Sequence, residues 1–212
     1  MKRMFYGTLA LFVAMSGLCF AAPEPAVVQG EGNWTVDVRF EHPQQIMAQV
    51  WLDQKPERFW YIIITLTNET GKDVEFYPKC ELMTDTFRIT PAGKDVPEKV
   101  FDLIKKRHRR KFPFLESLER TSNKILQGRD NAKDIAIIWP DFDPGAKAIK
   151  LFISGLSNET AVVEDPVAKD ENGQPQKIYL RKTLELSYKV PGDPAKRSDT
   201  KLRYEGKRWI MR

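Results

Sequence analysis

Residues able to do acid–base or nucleophilic chemistry are thinly spread along this chain. Histidine occurs twice, as His42 and His108. That count excludes a histidine-rich metal centre and leaves a Ser-His-Asp arrangement two candidate bases. His42 precedes Pro43 in a turn, and His108 lies between Arg107 and Arg109, whose charge disfavours its protonated form. No Gly-x-Ser-x-Gly nucleophile elbow accompanies them. Carboxylates offer a second chemistry, because Asp141, Asp143 and Asp165 fall in loop-like stretches and could supply the acid and base of a hydrolase. Asp141-Phe142-Asp143-Pro144-Gly145 opens like a calcium loop but lacks the third early oxygen ligand and the late glutamate. Asp165, Asp170 and Glu171 follow no ligand spacing, so no metal or cofactor is expected.

The densest charge is Lys105-Lys106-Arg107-His108-Arg109-Arg110-Lys111. A cation near an anionic surface contributes about 1 kcal/mol, so Lys105, Lys106, Arg107, Arg109, Arg110 and Lys111 are candidate ligands for an anionic partner. The competing reading is a solvated helix face, stabilised by basic residues at a helix C-terminus and partly neutralised by Glu116 and Glu119. Aromatic residues that could stack on bases appear only at Phe112 and Phe114, and the formal charge is a modest +5, so nucleic acid is a poor fit.

The first residues carry an export pattern. Lys2 and Arg3 precede an uncharged run from Met4 to Ala22 that ends in the small pair Ala21-Ala22 before Pro23. Cleavage after Ala21 is the expectation, with an uncleaved anchor and a lipid-modified Cys19 as alternatives. Residues 22–33 read as a short linker and 34–212 as one domain, long enough to bury a core without disulfides. The mature chain keeps one cysteine, Cys80, beside Leu82 and Met83, which reads as a small buried hydrophobe.

Strands must position all of this. Residues 59–66, FWYIIITL, are apolar on both alternating faces and mark a central strand needing a cover on each side. Alternation at 34–41, a run at 46–52, a muddled period at 80–90 suggesting a bulge, and runs at 135–139, 148–156, 178–190 and 208–211 supply the others. The stretch 157–177 reads as a polar loop with a turn at Asp170-Glu171-Asn172-Gly173. Between strands, Asp95 and Glu98 have capping-box spacing. Val100, Phe101, Ile104, Leu115, Leu118 and Ile125 then make a helical stripe, broken at Pro113 and ending at Gly128. This predicts a two-helix insertion over 95–128, lying on the open face of the central strand.

The expected fold is an antiparallel immunoglobulin-like β-sandwich with that insertion. The strand leading into Thr67-Asn68-Glu69-Thr70-Gly71-Lys72-Asp73-Val74 resembles exported bacterial proteins of unassigned function that carry an immunoglobulin-like domain. The resemblance implies a β-sandwich and no particular site. Expected, then, is a non-catalytic binding or scaffolding module, periplasmic or secreted, whose partner is an anionic envelope component or another exported protein. The alternative is a carboxylate-dependent hydrolase of the same compartment.

Overall fold

The computed structural model describes residues 26–28, 32–51, 55–193 and 200–212. The expected signal peptide lies outside them, as does most of the linker. The central strand is β4, Glu57–Asn68, and its two apolar faces serve two different cores. It is the hub of a five-stranded sheet with β2 (Asp37–Phe40), β3 (Gln44–Ala48), β8 (Glu116–Ser117) and β10 (Gly128–Pro140). The order is β2-β4-β10-β8, with β3 also on β4. In β10, Ile135 pairs with Ile64 and Trp139 with Trp60. The two strands therefore present large side chains to the same side at each step.

Facing this sheet is a seven-stranded one. Its members are β1 (Ala26–Val28), β6 (Lys79–Thr84), β7 (Ile89–Pro91), β11 (Ala148–Ser154), β12 (Thr160–Lys169), β13 (Pro175–Lys189) and β14 (Arg203–Met211). They run in the order β1-β12-β13-β11-β6-β7, with β14 on β13. Even-numbered β4 residues Trp60, Ile62, Ile64 and Leu66 meet Leu82, Leu151, Ile153, Leu184 and Leu186 between the sheets. The molecule is thus mainly β, with two packed sheets.

Odd-numbered β4 residues point the other way. Phe59, Tyr61 and Ile63, with Ala136 and Ile138 of β10, form a second core under α1, Glu98–His108. The helix contributes Val100, Phe101 and Ile104, all buried. Each such side chain contributes about 1.5–3 kcal/mol when removed from water, which is what holds the helix against the sheet.

The two-helix expectation needs correction, because 95–128 carries only this one α-helix. After it, Pro113 lacks an amide hydrogen and bars its predecessor from helical geometry. Leu118 N donates to Ala136 O at 3.2 Å, and β8 lies parallel to β10. Sheet pairing has replaced the second helix. Leu115 still packs under α1, but Ile125 sits in the inter-sheet core, where β9 (Lys124–Ile125) pairs with β5 (Val74–Glu75), and Leu118 packs against that core. The capping box does not form either: the N-cap is Pro97 without a side-chain cap, while Asp95 has φ 59°.

Two further expectations change. The muddled period at 80–90 is a tight hairpin of β6 and β7 rather than a bulge, closed by Thr84, whose N–H bonds Arg88 O and whose carbonyl accepts from Phe87 N. Residues 160–169, expected as loop, form β12, which pairs with the first half of β13 across the Asp170 turn. This hairpin is held by ladder bonds more than by burial, so it leaves little apolar signature in the sequence.

Candidate functional site

The basic segment is the last turn of α1 and the turn beyond it. Burying Val100, Phe101 and Ile104 rotates the opposite stripe to water, and Lys105, Lys106, Arg107, Arg109, Arg110 and Lys111 are all exposed. They are not equivalent. Lys111 Nζ lies 2.7 Å from Glu41 and 5.3 Å from the Phe112 ring centroid. Arg107 donates to Gln45 O at 3.1 Å and Tyr61 Oη at 3.3 Å. Lys105 rests over the Phe101 ring at 5.7 Å. No carboxylate partner accompanies Lys105, Lys106, Arg109 or Arg110 among the described residues. The expected neutralising pair is also spent elsewhere or absent: Glu116 is 3.6 Å from Lys133, and Glu119 leans over Gly93.

His108 anchors this end instead of joining the ridge. Its Nε2 shares a 2.8 Å hydrogen bond with Tyr61 Oη, which also donates to Gln44 Oε1 at 3.0 Å. Burial, then Arg107, then Lys111 push its pKa below the ordinary value against the pull of Glu41. The ring is therefore a neutral contact at neutral pH.

A second charged region covers the outer face of the seven-stranded sheet, and sequence reasoning missed it. Register sets Glu81, Phe152, Glu185 and Arg208 side by side on β6, β11, β13 and β14. Glu185 is only 3% exposed and takes a bidentate pair from Arg208 at 2.9 and 3.0 Å, with Lys150 at 3.3 Å and Ser187 Oγ at 3.1 Å. Glu81 is held by Lys79 at 2.9 Å and Arg212 at 2.5 Å, the latter stacked 4.1 Å from Phe152. A groove of about 370 Å³ lies beside it, with Tyr179 and Arg181 on its rim. The alternation that turned Glu185 outward was legible; its burial was not, because the cations that cover it come from distant strands.

Burial raises both glutamate pKa values, but the cation hydrogen bonds outweigh it and hold both below the ordinary value of 4.5. A carboxylate depressed in the folded state stabilises above its unfolded pKa, and that contribution is lost as pH falls through the folded pKa. Glu185→Gln should therefore cost about 1–3 kcal/mol at pH 7 and nearly nothing at the acid end of a melting series. A melting-temperature gap between variant and wild type that stays constant from neutral to strongly acid pH would contradict this.

The remaining candidates are bound into the fold. Asp141 accepts from Trp60 Nε1 at 2.8 Å and pairs with Arg58 at 3.2 Å. Asp143 accepts from Thr86 Oγ1 at 2.7 Å and Gly145 N at 2.9 Å, facing a different strand end. Asp165, on β12, accepts from Val167 N and Ala168 N, and these backbone bonds lower its pKa. Each of the three thus has hydrogen-bond partners of its own within the fold. His42 Nδ1 is 3.3 Å from Tyr188 Oη, its ring among Phe40, Tyr188 and Tyr204. Cys80 is buried and in no disulfide, and burial, then Glu119 and Glu81, push its thiol up, which disfavours the thiolate. Among the described residues no His, Cys, Asp and Glu cluster is placed to hold a metal, and no helix is long and apolar enough to cross a membrane.

No protein-family model, no curated protein and no solved structure matches the chain.

Proposed function

We propose that this chain is an exported, non-catalytic immunoglobulin-like β-sandwich that binds an anionic component of the cell envelope through the C-terminal end of α1. The observation that carries the proposal is the contrast between the two charged regions. On the outer sheet face, Glu81 and Glu185 each take two cations, so each of these four cations has a carboxylate partner. At the end of α1 and in the turn beyond it, four exposed cations have no carboxylate partner among the described residues. Unneutralised like charges at successive-turn positions repel each other by a few tenths of a kcal/mol per pair, which offsets part of what cations contribute at a helix C-terminus. An anionic partner relieves that repulsion.

The strand order supports the finer fold reading. β2-β4-β10 against β7-β6-β11-β13 is the arrangement expected of an immunoglobulin-like core, with β14 added at one edge and α1 laid across the other sheet. Export is supported by the basic start and apolar run of residues 2–22.

The test is a fourfold charge reversal, Lys105→Glu, Lys106→Glu, Arg109→Glu and Arg110→Glu. All four side chains are exposed, so the thermal melt should stay cooperative, with a loss of at most about 0.5 kcal/mol per site. At about 1 kcal/mol per cation, retention on dextran sulfate at low salt should fall at least a hundredfold, and wild-type binding should weaken with added salt. Wild-type affinity in the reversed protein would refute the proposal.

A further inference from the structure

The turn after α1 narrows the choice of anion. Lys111 N and Phe112 N both donate to His108 O at 2.9 Å, and Leu115 N donates to Phe112 O at 3.3 Å. Phe112 and Leu115 are buried in the core beneath the helix. The residues spanning these two anchors, Pro113 and Phe114, are thereby forced outward, and proline's fixed φ limits the ways the turn could relax. Phe114 is 85% exposed and stands three residues past Lys111, the end of the basic run. A phenyl ring held in water contributes nothing to the fold.

The shape of this surface argues against a discrete small ligand. Such a ligand needs donors converging on a concave site. The grooves over the larger sheet and at the start of α1 are lined by other residues. Lys105 and Arg109, like Lys106 and Arg110, are successive-turn neighbours, and all four are exposed and line none of these grooves. Exposed cations followed within a few residues by one exposed apolar ring match a plane of negative charge with an apolar layer just beneath it. That is the headgroup region of an anionic bilayer. A soluble polyanion would satisfy the cations but give Phe114 nothing to enter.

Resting on the reading that this helix end is the binding surface, we propose that it docks on an anionic lipid surface. Lys105, Lys106, Arg109 and Arg110 lie on the headgroups, and the Phe114 ring enters the boundary with the acyl chains.

The experiment compares sedimentation of the chain with vesicles of phosphatidylcholine alone, with vesicles of about one-third phosphatidylglycerol, and its binding to dextran sulfate. Wild type should bind the phosphatidylglycerol vesicles and not pure phosphatidylcholine. Phe114→Ala should lower vesicle partition about tenfold, the effect of withdrawing part of one ring from an apolar layer, and leave dextran sulfate binding unchanged. Phe114→Trp should show blue-shifted emission on the vesicles, quenched by brominated acyl chains. Dextran sulfate binding without vesicle binding, or vesicle binding indifferent to Phe114→Ala, overturns the lipid proposal and leaves the anion-binding reading standing. Equal binding to phosphatidylcholine alone overturns it too. Failure on both anionic probes overturns both.

Discussion

Ile64→Asp is expected to abolish cooperative folding of the sandwich. Ile64 is fully buried at the middle of β4, paired with Ile135 on one side and Phe40 on the other, and its side chain lies between the two sheets. A carboxylate there has no cation in reach among the core residues, so it must either ionise without a partner or protonate in an apolar site. Either course costs several kcal/mol, against a total stability of roughly 5–15 kcal/mol for a domain. Circular dichroism should show no cooperative melt. Ile89→Asp supplies the contrast, since Ile89 is half exposed on the edge strand β7 and should change stability by about 0.5 kcal/mol or less. A normal melt for Ile64→Asp would mean that β4 does not hold the centre of the core.

The second large effect is expected at Gly155, just past the end of β11. Its φ of 87° lies in the left-handed region, and a Cβ there would stand 2.7 Å from Tyr77 O and 2.9 Å from Pro78 Cα. Those are backbone atoms, and they cannot withdraw: Lys79, the next residue, pairs with Ser154 and accepts its hydroxyl hydrogen bond at 3.0 Å. Gly155→Ala should therefore cost roughly 2–4 kcal/mol, part conformational and part steric. Gly173, with φ 77° and open space around it, isolates the conformational part. In denaturant titrations Gly155→Ala should lower the midpoint well beyond Gly173→Ala without changing the slope. Equal midpoints for the two variants would show that the close approach to Tyr77 and Pro78 is not a constraint.

Both predictions bear on the helix end, because α1 packs against the sheet. Val100, Phe101 and Ile104 dock on the odd-numbered face of β4, while Ile64 lies in the core between the sheets and Gly155 lies against Tyr77 and Pro78. Losing the sandwich therefore releases the cations from one surface. Charge reversal on the ridge, by contrast, should separate binding from stability.

What the sequence by itself determined was local and periodic. Two apolar faces over 59–66 required two covers. The stripe Val100, Phe101, Ile104 required a helix and pointed the cations of 105–111 to water. Alternation through 184–188 turned Glu185 outward. These follow from repeats of 2.0 and 3.6 residues, which any short window displays. The tertiary structure alone decided what strands do at their edges and which charges find partners. Residues 116–117 became a strand because β10 offered an open edge, overriding the helical spacing of Leu115, Leu118 and Ile125. Residues 160–169 became a strand because β13 runs long enough to template them. Glu185 is buried because Arg208, Lys150 and Ser187 close over it, whereas no described acidic side chain pairs with Lys105, Lys106, Arg109 or Arg110. Hydrogen-bond ladders and ion pairs join residues tens of positions apart, and their partners carry no mark in the intervening sequence. Which cations are neutralised and which remain open is therefore written in strand register, and only the folded chain reveals it.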